Sequence, residues 1–331
     1  MTKDTGEYPL LTIFTPAYNR QELLKRAYES LTRQTRKDFV WLIVDDGSTD
    51  DTAKLIRGWQ EAGVLSIEYY HTENGGKMRA HNLGVKYTKT LLFLCLDSDD
   101  YLTEDAVEII YDEYGRIEEA ADETVRLYTG KQFGGFVAHK GRDEKTPLYG
   151  EDFPKLVYST LYGLYLKGFH GETTLVYRTE VLRSYPFPEI SGEKYVPEDY
   201  IYDKIDRNYV LKVIPRVLTV CELTQSGYTE SLKKLKRENP VGWYLYYRQR
   251  LKITPLFDPP LLKFKYAGYY VIYKNRAAAS LSGKAGGREL KGTEKQPRGL
   301  SERTSGASEI PFLWVLMGVI SAFLLKMTGR E

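Results

Sequence analysis

Three carboxylates stand close together immediately after the most hydrophobic run of the sequence. The run "LLFLCL" occupies residues 91–96 and leads into Asp97, Asp99 and Asp100. Like charges at this spacing repel one another, and each carboxylate resists removal from water. A solvated acidic turn that caps the next helix would hold them at little cost. A divalent cation such as Mg²⁺ or Mn²⁺ would use them, because hard cations prefer oxygen ligands.

Polar groups also follow three other apolar runs, at residues 15–19, 45–48 and 74–77. Asp46 begins a Gly-Ser-Thr-Asp turn, where its carboxylate could accept a hydrogen bond from a nucleotide base. Turn formation and helix capping explain Asp46 equally well when it is considered alone. The Asn-Gly-Gly-Lys stretch lets the backbone approach a ligand closely and supplies a cation for phosphate. Together, the four clusters indicate one shared binding site.

The elements that must position these clusters alternate between strands and helices. Apolar strands are predicted at residues 10–14, 38–44, 64–70 and 90–96, and helical patterns separate them. This alternation predicts an α/β fold with a mostly parallel sheet and helices on both faces. Ligands bind such sheets outside the carboxyl ends of the strands, where all four clusters fall. Looser patterns predict a helix at residues 197–209 and further strands at residues 131–138 and 172–178. Residues 211–223 are predicted to form two short strands, one on each side of Pro215.

The motifs "LTIFTPAYNR", "WLIVDDGSTDDT", "NGGKMRAHNLG" and "FLCLDSDD" follow one another over residues 10–100. As a set they resemble the nucleotide-sugar half of a family 2 inverting glycosyltransferase of the bacterial cell-surface polysaccharide type. That family has the GT-A fold. The resemblance continues more loosely to about residue 230, and it implies a hexosyltransferase-type enzyme.

The resemblance also implies roles for particular residues. It implies that residues 15–18 surround the base, that Asp46 contacts the base, and that Asp97 and Asp99 hold Mg²⁺ or Mn²⁺ on the diphosphate. The full set of implied nucleotide-sugar contacts is Thr15, Pro16, Ala17, Tyr18, Asp46, Lys77, Asn82, Asp97 and Ser98.

In the looser part of the resemblance, an acidic pair usually supplies the general base. Glu198-Asp199 is that pair here, and Asp199 is the favoured residue, with Glu198 as the alternative. Without the resemblance, acidic residues at a helix start are explained by the helix dipole.

Composition limits the partners and the compartment. The chain has 331 residues, 42% apolar and 28% charged, with a net charge of +2, so a nucleic-acid partner is not expected. Its two cysteines, Cys95 and Cys221, form no disulfide framework. The N-terminus has no signal-peptide pattern. We therefore expect a cytoplasmic protein, attached to the inner face of the cell membrane through its C-terminal region.

Three features support that attachment. Residues 231–276 combine eleven Lys or Arg with ten aromatic residues and two acids, residues 280–309 contain six glycines, and residues 310–325 carry no charge. Sixteen uncharged residues are fewer than the ~20 that span a bilayer, so an interfacial anchor, a tilted span and a helix packed on the domain all remain open. The predicted organisation is a GT-A domain (1–230, with halves 1–100 and 101–230), a basic aromatic helical extension (231–279), a flexible linker (280–309) and a hydrophobic segment (310–331).

The function predicted from these features is metal-assisted transfer of a sugar from a nucleotide diphosphate, with UDP favoured, to a hydroxyl of a glycan or lipid-linked acceptor. One alternative is a nucleotidyltransferase, which also uses metal-binding acids in an α/β fold. That class favours a glycine-rich loop near the N-terminus, and "TPAYNR" lacks glycine. The other alternative is a catalytically inactive nucleotide-binding protein of the membrane surface.

Overall fold

The computed structural model describes residues 8–221, 228–254, 260–285 and 312–327. These residues fall into two compact units. The first contains residues up to 187 together with 201–226, and the second contains 188–200 together with the chain from 227 onward. The acidic pair Glu198-Asp199 therefore belongs to the second unit, together with the C-terminal helices.

The described strands form one mixed sheet in the first unit, in the order β3-β2-β1-β4-β8-β6-β9-β5, with β7 paired to β9. The strands are β1 (Leu11–Ala17), β2 (Phe39–Asp45), β3 (Ile67–His71), β4 (Leu92–Cys95), β5 (Tyr101–Leu102), β6 (Gln132–Gly141), β7 (Tyr158–Ser159), β8 (Thr173–Arg178) and β9 (Tyr209–Val220). The helices are α1 (Leu23–Thr32), α2 (Thr52–Ala62), α3 (Lys77–Tyr87), α4 (Ala106–Thr129), α5 (Leu161–Leu166), α6 (Thr179–Ser184), α7 (Asp199–Ile205), α8 (Tyr228–Glu238), α9 (Pro240–Ile253), α10 (Pro260–Ala285) and α11 (Phe312–Met327).

The first half of the sheet agrees with the sequence-based expectation. Strands β3, β2, β1 and β4 are parallel neighbours, and the connecting helices α1 and α2 contribute to one apolar core. Trp41 of β2 is fully buried, and the rings of Tyr28 and Trp59 stack 4.3 Å apart beside it. Strand β1 extends to Ala17, beyond the end predicted at Phe14, because Thr15 and Pro16 still face residues of β2 in the parallel register.

The second half is mixed rather than parallel, since β8 runs antiparallel to both β4 and β6. Residues 209–220 form one strand, so the prediction of two strands about Pro215 was wrong. The proline is accommodated by a bulge: Ala138 pairs with Ile214 and His139 with Val217, which leaves Pro215 and Arg216 exposed outside the ladder. A proline cannot donate a ladder hydrogen bond, so a bulge is a position that tolerates it.

The second unit is helical, as predicted for the extension. Its core is an aromatic cluster from α9 and α10, with Trp243, Tyr247 and Tyr273 all within 6.1 Å ring to ring. Helix α11 packs closely on α10 at Gly318. A β-carbon at this position would lie 2.6 Å from the carbonyl oxygen of Ala267, which is too close for a side chain. Among the described residues, no helix is both long and apolar enough to cross a bilayer.

Helix α10 continues to Ala285, so the first residues of the predicted 280–309 linker are helical. The remainder of that linker, from residue 286, lies outside the described residues.

Candidate active site

The polar clusters meet because of the parallel register. Strand β1 lies between β2 and β4, so Ala17 is opposite Asp45 while Phe14 is opposite Cys95. The backbone amide of Asp46 donates a hydrogen bond to the carbonyl of Ala17 (2.8 Å). This bond holds the cluster at residues 15–19 beside the cluster at residues 45–48. This sheet edge is the candidate site.

The acids after β2 build the loop that follows β3. Asp45 is fully buried and accepts hydrogen bonds from the Ser48 amide (2.8 Å) and the Tyr69 hydroxyl (2.7 Å). Both oxygens of Asp46 accept backbone amides, from Gly75 and Gly76 at 2.7 Å each. These contacts hold the Gly-Gly segment against the end of β2 and place Lys77 at the start of α3.

Lys77, Asp97, Lys140 and Asp100 form an alternating row of charges at the ends of α3, β4 and β6. The Lys77 Nζ lies 2.6 Å from one oxygen of Asp97, and the Lys140 Nζ lies 3.4 Å from the other. Lys140 is also 2.7 Å from Asp100, whose side chain is 4% exposed. We call these four residues the charge row.

The charge row explains how three carboxylates can follow a buried strand. Burial alone would raise the pKa of Asp97, but the ammonium groups of Lys77 and Lys140 outweigh burial and hold that pKa well below its usual range. Burial would lower the pKa of Lys140, but Asp97 and Asp100 raise it above its ordinary value. Burial raises the pKa of Asp100, with Lys140 opposing the shift. Asp97 and Lys140 therefore remain charged near neutral pH.

Asp99 differs from its neighbours because its side chain is exposed. Its backbone carbonyl accepts a hydrogen bond from Arg26 (2.7 Å), but its carboxylate makes no ion pair with any residue that the structure describes. One available carboxylate fits a cation such as Mg²⁺, which takes one or two protein carboxylates and fills its other positions with water and substrate phosphate. Asp97 fits less well, since two ammonium groups already neutralise it. Within the described part of the chain, no three acidic, histidine or cysteine side chains converge as a ready metal cage.

The other residues implied by the resemblance divide into two groups. Pro16, Tyr18 and Ser98 lie at the sheet edge, with Tyr18 48% exposed and Ser98 buried. The Thr15 side chain lies in the core, where its oxygen accepts from Trp41 Nε1 (3.0 Å), and Ala17 is buried as well. The Thr15 hydroxyl is therefore bonded within the core, and the predicted position of residues 15–18 around the base remains a prediction.

Asn82 has a structural contact instead of an open amide. Its amide nitrogen donates to the Phe187 carbonyl and its oxygen accepts the Phe187 amide, both at 2.9 Å. The pair ties α3 to the segment that follows α6. Both ends of the Asn82 amide thus have a backbone partner, and the nucleotide-sugar contact of Asn82 remains a prediction.

Asp199 begins α7 and forms an ion pair within the second unit. One oxygen lies 2.8 Å from the guanidinium of Arg250, which is 6% exposed, whereas the Asp199 side chain is 48% exposed. Desolvation raises the pKa of Asp199, Glu198 adds to the rise, and Arg250 opposes it. The base assignment of Asp199 remains a prediction.

Lys140 is the site residue that sequence reasoning missed. It follows His139 on β6, 40 positions after Asp100, within a stretch that carries no recognisable motif. The only sequence signal is a lysine at the end of a strand whose other side chains are mostly buried. Its role depends on the pairing of β6 with β8 and β9, which the local sequence does not specify.

His81 provides a test of packing beneath the site. It is 6% exposed and makes edge contacts with the rings of Phe14, Phe93 and Phe187. Burial, followed by the positive charge of Lys77, lowers the pKa of His81 to about 3.

The unfolded chain protonates His81 near pH 6.5 and the folded chain does not, so stability is lost as the pH falls below that value. We expect His81 alone to lower the free energy of unfolding by ~2 kcal/mol between pH 7 and pH 5. Chemical denaturation at both pH values measures the change. His81→Phe should reduce the pH dependence, whereas His170→Gln, at an exposed histidine, should leave it unchanged. An equal pH dependence in His81→Phe would refute this assignment.

Comparison with known proteins gives similarities of family and fold. Residues 12–163 match the model of the glycosyl transferase family 2. A chondroitin synthase of Escherichia coli is 38% identical over 106 residues, which are 32% of this chain and 15% of that protein. A hyaluronan synthase of Pasteurella multocida is 37% identical over 106 residues, which are 32% of this chain and 11% of that protein. The matched region is thus a small part of these longer relatives.

Two solved structures share the fold. S. aureus TarS 1-349 in complex with UDP-GlcNAc has a TM-score of 0.53 and 18% identity, covering 85% of this chain and 76% of that chain. The mannosyltransferase PcManGT from Pyrobaculum calidifontis, in complex with GDP-Man and Mn²⁺, has a TM-score of 0.51 and 18% identity. The match covers 98% of this chain and 89% of that chain. The predicted GT-A type of α/β fold is confirmed, with a mixed sheet. Residues 12–163 of this chain are therefore similar to family 2 glycosyltransferases, and they include the strands whose polar edge forms the candidate site.

Proposed function

We propose that this protein is an inverting glycosyltransferase that moves a sugar from a nucleotide diphosphate, with UDP favoured, to a hydroxyl of a glycan or a lipid-linked acceptor. The observation that carries the proposal is the charge row beside the Gly75-Gly76 loop. Asp46 holds the loop, Lys77 is one-third exposed, and Asp99 is open to solvent. A diphosphate at this edge would meet an ammonium group and the backbone of a glycine loop.

In the proposed reaction, a carboxylate removes the proton from the acceptor hydroxyl as its oxygen attacks the anomeric carbon. The bond from that carbon to the diphosphate oxygen breaks on the opposite face, and the nucleoside diphosphate leaves with the electron pair. Asp199 is the proposed base. Lys77 would stabilise the leaving diphosphate, because its ammonium group is held at the sheet edge by Asp97.

Asp99, with Asp97 beside it, would hold Mg²⁺ or Mn²⁺. When bound, such a cation neutralises charge on the departing diphosphate.

Asp99→Asn tests the cation assignment. We expect turnover to be abolished and UDP binding in the presence of Mn²⁺ to weaken, while the melting temperature stays within about 1 °C, since the side chain is exposed and packs in no core. The measurements are nucleotide release with each candidate UDP-sugar and calorimetric titration of UDP with and without Mn²⁺. Asp143→Asn, at an exposed acid elsewhere in the same unit, is the control. Full activity of the variant, or no effect of EDTA on the wild type, would contradict the assignment.

We also propose that α11 attaches the protein to the cytoplasmic face of a membrane. Among the side chains of α11 that the structure describes, four large apolar ones are exposed by 48–63%: Val319, Ile320, Phe323 and Leu324. Their spacing places them along one stripe of the helix, while Ala322 and Leu325 pack into the aromatic core. An apolar stripe beside cationic helices is suited to an interfacial position on anionic lipid.

Ile320→Gln with Phe323→Gln should release the protein from vesicles that contain phosphatidylglycerol. We expect sedimentation with those vesicles to fall by about tenfold or more, because two half-exposed apolar side chains lose the gain from burial in lipid. Leu281→Gln, at an exposed apolar residue of α10, is the matched control. Unchanged sedimentation of the double variant would exclude this face as the attachment surface.

A further inference from the structure

The second unit contains a cationic cavity that the proposed reaction does not use. Its volume is about 740 Å³, which lies within the ~300–1,000 Å³ range of small-molecule sites. Three segments line it: the loop at Gly192, the last turns of α8 with the start of α9, and the α10 segment from Arg276 to Ser280. The charged lining residues are Lys233, Lys236, Arg237, Glu238 and Arg276.

Two helix surfaces supply the positive charge. Lys233, Lys236 and Arg237 stand at spacings of three and four residues, which places them on one face of α8. Arg276 and Ser280 are four residues apart on α10, so they also share a face. Among the described residues, four cations line the cavity and Glu238 is the only acid that does so, at 3.9 Å from Arg237.

Lys236 is partly buried. Its Nζ lies 5.3 Å from the ring of Trp243 and 5.6 Å from the ring of Tyr269, so aromatic faces cover one side of the ammonium group. Burial lowers the pKa of Lys236, and the charges of Lys265 and Arg276 lower it further. A bound anion would offset that repulsion.

We propose that this cavity binds a phosphate or diphosphate group of a ligand. Guanidinium groups bind phosphate oxygens in a bidentate manner, and lysine adds a compact charge, so the lining suits this chemistry. The small residues Gly192, Ala279 and Ser280 leave room for more than a single ion, and the Ser280 hydroxyl can donate a hydrogen bond. The inference is independent of the sugar-transfer reaction, since every lining residue belongs to the second unit.

Calorimetric titration of the full chain with inorganic diphosphate, at constant ionic strength and with EDTA, tests the cavity. Lys236→Gln and Arg276→Gln should each weaken the binding by about tenfold or more. Lys234→Gln and Lys274→Gln are matched controls, because they remove the same charges from α8 and α10 without touching the cavity lining. Ala279→Phe should also block binding, since it fills the cavity and changes no charge.

A second arm distinguishes a soluble ligand from a lipid headgroup. Sedimentation with phosphatidylcholine vesicles that contain phosphatidic acid is measured for the same five variants. If the cavity variants lose diphosphate binding, the ligand is a soluble phosphate compound. If the cavity variants lose only vesicle binding, the ligand is a lipid phosphate. Equal weakening in the control variants would show general electrostatic attraction and overturn the proposal. Binding of neither probe by the wild type would overturn it as well.

Discussion

Asp199→Asn is expected to lower kcat by about 10²- to 10⁴-fold, which is the usual contribution of general base catalysis. The KM for the nucleotide sugar should change little, because the proposed base contacts the acceptor and not the donor. The expectation depends on the carboxylate having an oxygen that can reach the acceptor. One oxygen of Asp199 lies 2.8 Å from Arg250 and Tyr246 also hydrogen-bonds to the carboxylate, but almost half of the side chain is exposed.

The ion pair requires a separate measurement of stability. The Asp199→Asn substitution would leave the buried guanidinium of Arg250 without this carboxylate, so the variant should also unfold at a lower temperature. Kinetics at a temperature where the variant is fully folded, verified by circular dichroism, separate the two effects. A folded variant with wild-type kcat would assign Asp199 a structural role only. If Glu198→Gln loses turnover and Asp199→Asn does not, the two roles are exchanged, and normal turnover in both would exclude this segment.

Lys140→Met is expected to lower the free energy of unfolding by ~3 kcal/mol, because removing one partner of a buried pair leaves its charge uncompensated. Lys140 is 16% exposed and is the cation shared by Asp97 and Asp100. Activity should fall as well, since Asp97 would lose one of the two cations that keep it ionised and in position. Urea denaturation measures the stability, and Lys145→Met, at an exposed lysine, is the control.

A double-mutant cycle with Asp100→Leu tests whether the pair itself is responsible. The double variant should be more stable than the sum of the single losses predicts, by ~0.5–3 kcal/mol, because both buried charges are removed together. Strict additivity of the two losses, or wild-type stability of Lys140→Met, would show that the charge row does not hold this edge of the sheet.

The sequence alone determined the parallel half of the sheet and the sheet edge where the candidate site lies. Each strand there is a short apolar run that ends in turn-forming polar residues, so local pattern and strand order agree. The parallel arrangement then requires the ends of β1, β2 and β4 to meet at one edge. For this reason the sequence pattern suffices to bring the motifs around Asp46, Lys77 and Asp97 to one edge of the sheet.

Only the tertiary structure decided how the polar groups are used. Thr15 and Asn82 stand in the right motifs, but neighbouring elements occupy their polar atoms: Trp41 binds the first and the Phe187 backbone binds the second. Lys140 stands in no motif, and it reaches Asp97 and Asp100 only because β6 joins the sheet through a mixed pairing with β8 and β9. Such pairings depend on contacts between residues that are distant in the chain, and burial fixes which charges must be compensated. A local pattern contains neither kind of information, so the counter-charge that lets three carboxylates follow a buried strand became visible only in the folded chain.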